Sequence, residues 1–121
     1  MIGQEYVLMV KETDLPHSEN SVTLVGRLSA TVSERELPSG DKVTSFSVIV
    51  DRPPRDRRGK STVDSIPCQT FSVPIGARVL RLEPGDWIQV TGVLRRRFWR
   101  SSESAQSVLE VQATSVRKVR K

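Results

Sequence analysis

The sequence predicts a mostly-β domain that contains one short helix. β-branched residues are frequent from Val22 onward, and the extended segments they form are separated by turn-forming residues. One segment has apolar residues at helical spacing instead. The length of 121 residues suits a single domain with one core.

Turn signals at residues 38–41, 53–59 and 84–86 divide the chain into strands. The strands are predicted at about 21–32, 43–51, 63–73, 86–99 and 106–117. Residues 1–19 precede this pattern and are predicted to be an N-terminal extension that can add a strand. The domain itself is assigned to residues 20–118, and residues 119–121 form a basic C-terminal end.

The helix is predicted at residues 75–82, between the third and fourth strands. Ile75, Val79 and Leu82 lie at helical spacing, and the Pro-Gly pair at 84–85 would end the helix. Five strands with a helix in this position are the layout of the OB fold, a Greek-key barrel that binds oligonucleotides or oligosaccharides. The predicted fold class is therefore all-β, an OB barrel.

Charge and composition narrow the function classes. The formal net charge is +5 and the sequence pI is about 10.0, which favours a polyanionic partner such as nucleic acid, although other basic soluble or membrane-surface proteins share this property. Cys68 is the only cysteine and His17 the only histidine, so neither a disulfide nor a zinc site is expected, and no metal or cofactor is predicted.

No apolar stretch is long enough to cross a bilayer, and the first residues do not resemble a signal peptide, so we expect a cytoplasmic protein without a membrane partner. No serine-histidine-acid, cysteine-histidine or paired-carboxylate pattern stands out. The sequence therefore predicts no catalytic residue and no enzymatic role.

The fourth strand has two distinct faces. Ile88, Val90 and Leu94 share one face by strand alternation, whereas Trp87 and Gln89 lie on the other. An outward-facing tryptophan suits a subunit interface, but partial burial under the N-terminal extension explains it equally well. Both interpretations remain open from the sequence.

Two basic segments are candidates for nucleic-acid contact. Residues 95–100 interleave cations with aromatic rings and place Arg95, Arg97 and Trp99 on one face, which is what a groove for a single strand needs. The alternative is a solvated strand end. The second segment is predicted to be a long, mobile hairpin loop, and its alternative is a charged loop without a ligand. Its candidate contacts are Arg52, Arg55, Arg57, Arg58 and Lys60.

Three blocks of the sequence resemble bacterial single-stranded DNA-binding proteins. They are residues 20–28, residues 38–50 and residues 85–99, and their order and spacing agree with that family over about residues 20–117. The resemblance implies an OB-fold homotetramer, a dimer of dimers, that binds and protects single-stranded DNA with little sequence preference in replication, recombination or repair. It also implies a nucleoid-associated location and replication or repair proteins as further partners.

The resemblance also implies roles for individual residues. Trp99 and Phe71 correspond to base-stacking positions, and Arg27, Arg95 and Arg97 correspond to basic positions along the DNA path. Trp87 and Gln89 correspond to the strand face that packs subunits together.

Some positions depart from the family pattern. Pro54 and Ser65 stand where many members have stacking tryptophans, and each stacked base is worth about 1–3 kcal/mol. Pro67 removes a backbone donor from the third strand, which predicts an edge or a bulge.

The sequence ends in basic residues rather than in the acidic tail of the family, as expected either of a sequence that stops at the core or of a divergent paralogue. The second hypothesis for function is an OB-fold subunit that contacts protein or RNA, in a primosome or a ribosome-associated assembly.

Overall fold

The computed structural model describes residues 17–120. Strands β1 to β3 come first, followed by a short 3-10 turn at Pro54–Asp56 and by β4, helix α1, β5 and β6. The bounds are β1 Val22–Leu28, β2 Ser33–Glu36, β3 Lys42–Asp51, β4 Val63–Thr70, α1 Val73–Leu80, β5 Trp87–Arg100 and β6 Ala105–Lys118.

The strands form a closed sheet. Their order is β1-β5-β6-β4-β3-β2, and an additional pairing between β1 and β3 closes the ring. All pairings are antiparallel except the one between β4 and β6. Helix α1 lies between β4 and β5 in the chain, so the predicted all-β OB barrel is confirmed.

Gly26 allows the ring to close. β1 pairs with β5 along Val22 to Arg27, and at Arg27 and Leu28 it also pairs with β3. A Cβ atom at Gly26 would collide with the backbone carbonyl oxygen of Ile49 on β3. The close approach of the two backbones therefore requires glycine at this position.

The barrel interior is apolar and is filled by residues from every long strand. On β5, Ile88 and Val90 are fully buried, and Leu94 lies opposite the buried Val111 of β6. Ile88, Val90 and Leu94 thus share one face of β5, as predicted, but Leu94 lies near the end of the barrel and is 40% exposed. The core also includes Leu28, Phe46, Val48, Cys68, Val79, Ala113 and Val116.

Some predicted boundaries were wrong. The first strand, predicted at 21–32, is divided into β1 and β2, because the four residues 29–32 lie opposite only Phe46 and Ser47 on β3. The third predicted strand ends at Thr70 rather than residue 73, and the helix begins at Val73 and ends at Leu80. The cause is Ser72, whose hydroxyl oxygen accepts a hydrogen bond from the Ile75 backbone N–H and caps the helix.

The predicted extension at residues 1–19 lies outside the described residues except for residues 17–19, and so does Lys121 of the C-terminal end. Within residues 17–120, no helix has the length and apolar character to cross a membrane.

Candidate nucleic-acid interface

β5 and β6 extend beyond the barrel as a two-stranded ribbon. The ladder between β1 and β5 ends near Leu94, whose backbone N–H and carbonyl are both hydrogen-bonded by the Asn20 side chain at 2.7 Å. β4 pairs with β6 only at Val111 and Gln112. Residues 95–100 and 105–110 therefore pair only with each other among the described strands. We call this ribbon the arm.

The front face of the arm carries the three predicted residues Arg95, Arg97 and Trp99. They lie opposite Glu110, Val108 and Gln106 of β6, respectively. The Trp99 side chain is 43% exposed, and the Arg97 guanidinium lies 5.0 Å from the centre of its ring. An exposed ring stacked on a cation is therefore presented to solvent, next to Arg95.

Glu110 fixes the position of Arg97. The Arg97 Nε donates a hydrogen bond of 2.7 Å to Glu110 Oε1, and Glu110 is only 6% exposed. A buried carboxylate requires a charged partner, which holds the guanidinium against Trp99. Glu110 was not identified from the sequence. The signal for it was an acidic residue on β6, the strand that pairs with the arginine-rich end of β5.

A cleft of about 250 Å³ opens at the base of the arm. Its lining is mostly polar and comes from β2, β3, β4, the arm and the segment before β2. The lining residues are Thr31, Ser33, Ser45, Phe46, Ser47, Pro67, Cys68, Arg97 and Glu110. Burial raises the pKa of the Cys68 thiol to about 12, with a further contribution from the nearby Glu110 charge, so this cysteine is not a nucleophile at neutral pH.

The segment between β3 and β4 is an organised turn with exposed cations. We call residues 52–62 the basic loop. It contains the 3-10 turn and is closed by a backbone hydrogen bond from Arg52 N–H to the Thr62 carbonyl. The side chains of Arg57 and Arg58 donate to backbone carbonyls of the same loop. Loop conformation and charge are thus supplied by the same arginines.

Arg52 lies at the base of this loop and is paired with Asp64. Its Nε and Nη2 atoms donate to Asp64 Oδ1 at 3.0 and 2.6 Å. This hydrogen bond lowers the pKa of the Asp64 carboxyl. Pro67 on the same strand is paired with Ser47 of β3, just before β4 meets β6 at Cys68, which agrees with the predicted edge position.

Arg27 lies on a different part of the barrel from the arm. It is directly opposite Trp87 in the β1–β5 register, with its guanidinium 5.9 Å from the ring centre, and it forms a 2.8 Å ion pair with Asp51. Gln89 lies on the same face and accepts a hydrogen bond from Arg117 at 2.6 Å. Arg27, Trp87 and Gln89 are therefore brought together, away from Trp99.

The predicted stacking residue Phe71 follows the end of β4 and is 44% exposed. Burial of Phe71 or Trp99 would have removed them as stacking sites, and neither is buried. Pro54 begins the 3-10 turn and Ser65 is exposed on β4, so neither position supplies a ring. A third exposed ring, Phe98, lies on the arm and was assigned no role from the sequence.

The eight predicted cations fall into two groups. Arg27, Arg52 and Arg97 are each ion-paired to a carboxylate. The others form no ion pair within the described part of the chain, and all are exposed. This second group consists of Arg55, Arg57, Arg58, Lys60 and Arg95. Among the predicted cations, this group holds the charge that is available to an anionic ligand.

Comparisons with known proteins agree with this geometry. The model of the single-strand binding protein family matches residues 19–119. The chain is 32% identical over 98 residues to single-stranded DNA-binding protein 2 of Listeria innocua, which covers 80% of the chain and 62% of that protein. It is 34% identical over 101 residues to the single-stranded DNA-binding protein of Thermotoga maritima, covering 81% and 72%. The chain thus spans about three fifths of the length of the Listeria relative.

The fold also resembles a solved structure. A chain of the Plasmodium falciparum SSB complex with ssDNA superposes with a TM-score of 0.72 at 23% sequence identity. The alignment covers 87% of this chain and 98% of the Plasmodium chain. At this identity, the comparison shows the shared barrel fold.

Proposed function

Because the chain belongs to the single-strand binding protein family, we propose that it binds single-stranded DNA with little sequence preference. The observation that carries this proposal is the front face of the arm, where exposed Trp99 is stacked on Arg97 and Arg97 is fixed by buried Glu110. A preorganised ring can stack on any base, because every base has a π-face. Members of the family are DNA-binding proteins rather than enzymes, in agreement with the predicted lack of an enzymatic role.

The unpaired cations support contact with the phosphate backbone. Four of them lie on the basic loop, and Arg95 lies on the front face of the arm. Phosphate contacts of this kind supply affinity without reading sequence. Phe71 is proposed as a second stacking ring. No cofactor enters the proposal, and residues 17–120 contain no cluster of metal-ligating side chains.

We also propose self-association as a homotetramer through the outward face of β1 and β5. Among the described residues, β1 pairs only with β5 along Val22 to Val25, and Val25 is an apolar side chain that is 49% exposed. Trp87 and Gln89 extend this surface. A free strand edge beside exposed apolar area favours pairing with another chain. Light scattering tests the proposal: a monomeric mass would contradict it.

The proposed cellular setting follows from the family. Residues 20–118 would act as the DNA-binding domain of a cytoplasmic, nucleoid-associated protein in replication, recombination or repair. Replication or repair proteins would be its further partners. These assignments rest on family membership.

A second function is favoured by one observation, the absence of rings at Pro54 and Ser65. An OB-fold subunit that contacts protein or RNA needs no long stacking platform. A competition between oligo-dT and duplex RNA separates the two functions. Preferential displacement by duplex RNA would favour the second one.

The main proposal is tested by titrating the protein with oligo-dT while tryptophan fluorescence is recorded. We expect quenching in the wild-type protein, and for Trp99→Ala a loss of about 1–3 kcal/mol of binding free energy. Leu80→Ala is the matched control, because it shortens an exposed apolar side chain at the end of α1. Binding that is absent, or that does not respond to salt, would contradict the proposal.

A further inference from the structure

The rear face of the arm carries a strongly exposed aromatic ring. Strand alternation places Arg96, Phe98 and Arg100 on this face, opposite Leu109, Ser107 and Ala105 of β6. Phe98 is 70% exposed, more than either Trp99 or Phe71. Leu109, diagonal to Phe98 on the same face, is 46% exposed, so the two side chains form an exposed apolar patch on the arm.

The charges on the two faces of the arm differ. The front face includes Glu110, which neutralises Arg97. The rear face has two arginines and no carboxylate among its six residues. Arg96 donates a hydrogen bond of 3.1 Å to the Ser107 hydroxyl, and within residues 17–120 neither Arg96 nor Arg100 is ion-paired. The rear face therefore has the larger uncompensated positive charge.

The arrangement of these side chains fits a single nucleic-acid strand. Arg96 and Arg100 flank Phe98 at a spacing of two residues each, which is about 6.8 Å along a strand. A ring between two cations can stack on a base while the cations contact the phosphates on either side. A purely apolar protein partner would leave both guanidinium groups without a counter-charge.

A second copy of this chain fits the rear face less well. A twofold contact would place the same patch on both subunits and bring Arg96 and Arg100 of one copy close to the same pair of arginines on the other. Like charges that face each other across an interface are destabilising. The charge pattern thus favours a polyanion over self-association at this face.

We propose that the rear face of the arm is a second base-stacking site for single-stranded DNA, with Phe98 as the ring and Arg96 and Arg100 as the phosphate contacts. A strand that stacks on Trp99 would continue around the arm and reach Phe98. This inference rests on the proposed function and extends it. Phe98 would serve as a third stacking ring, in addition to Trp99 and Phe71, in a protein that has no ring at Pro54 or Ser65.

The first test compares Phe98→Val and Phe98→Trp in titrations with long oligo-dT. Valine keeps the strand propensity and removes the ring, whereas tryptophan retains a ring. We expect Phe98→Val to weaken binding by about 5- to 100-fold and Phe98→Trp to bind like the wild type. Leu80→Ala is the matched control with unchanged affinity. Equal affinity of Phe98→Val and the wild type would overturn the inference.

The second test uses fluorescence to detect stacking directly. In Phe98→Trp combined with Trp99→Phe, oligo-dT should quench emission more than in the single variant Trp99→Phe, in which Trp87 is the remaining tryptophan. Equal quenching in the two proteins would overturn the inference. A second result would also overturn it: Phe98→Val changes the oligomer mass in light scattering but not the DNA affinity. The Phe98 ring would then pack against another copy of the chain rather than against a base.

These outcomes separate the inference from the proposed function. If the wild type binds oligo-dT and Trp99→Ala weakens it, but Phe98→Val has no effect, only the rear-face site is lost. If the wild type binds no oligo-dT, the proposed function fails as well.

Discussion

Glu110 shows how one buried carboxylate organises an exposed site. It is nearly inaccessible to solvent, and it holds Arg97 beneath Trp99. Arg97 is therefore a positioning residue as much as a source of charge. Its contribution to phosphate binding is limited as long as Glu110 retains it.

Replacement of Glu110 tests this role. Glu110→Gln preserves size and removes the charge, so we expect Arg97 to become available to phosphate. The log-log salt slope of oligo-dT binding should steepen by about 0.7, while quenching of Trp99 becomes weaker. Salt titrations followed by fluorescence measure both effects. A lower melting temperature with an unchanged slope would indicate that Glu110 serves stability alone.

Cys68 provides a prediction about pH. The pKa of its thiol is raised from 9.0 to about 12 by burial, so the folded state favours the neutral form. Its contribution to stability is fully present below about pH 9 and is lost as the pH rises towards 12. Urea unfolding should therefore show a steeper alkaline loss of stability in the wild type than in Cys68→Ala.

The same thiol should be protected from alkylation. We expect iodoacetamide at pH 8 to label Cys68 only after unfolding, because little thiolate is present in the folded protein. Rapid labelling of the folded protein would contradict this expectation.

At the level of elements, Gly26 is the position on which ring closure depends. Gly26→Ala would push a methyl group into the Ile49 carbonyl, so β1 and β3 must separate. We expect a loss of about 1–3 kcal/mol in the free energy of unfolding, measured with urea. Glu34→Ala on β2 is the control, because Glu34 is exposed and lies outside the proposed subunit interface. An equal effect of the two substitutions would contradict this account of barrel closure.

Local patterns in the sequence predicted the strand faces well. The alternation along β5 holds from Trp87 to Arg100. The irregularity in the β5–β6 register at Thr91/Gly92 is a bulge on β6, where Thr114 has no residue opposite it, so β5 itself keeps its alternation. The arm face with Arg97 and Trp99 could therefore be predicted from β5 alone. Ser72 as the N-cap and Pro74 in the first turn are also a helix-start signal that the sequence contains.

Features that depend on register could not be predicted. Arg97 and Glu110 are 13 residues apart, Arg52 and Asp64 are 12 apart, and Arg27 and Asp51 are 24 apart. Whether such charges meet is decided by how strands align, which local periodicity does not determine. The sequence therefore identified the cations but not which of them are neutralised.

At the level of the whole molecule, the structure separates two surfaces. Seven cations without an ion pair in residues 17–120, together with Phe98 and Trp99, lie on the arm and the basic loop, whereas Val25, Trp87 and Gln89 share the outward face of β1 and β5. Assembly through the second surface would leave the first one open to a ligand. Arg27 lies on the assembly side, and its ion pair with Asp51 places it beside the start of the basic loop.

The salt dependence of DNA binding tests this division of charge. Each phosphate contact contributes about −0.7 to the log-log slope for a single strand, so the five unpaired cations on the loop and the front face predict about −3.5, and the rear face adds about −1.4. Arg55→Gln should flatten the slope by about 0.7. Arg27→Gln should flatten it less, because a phosphate must first displace Asp51 from Arg27. If the two substitutions flatten the slope equally, Arg27 exchanges its partner readily, and the DNA path extends onto the face that we assign to assembly.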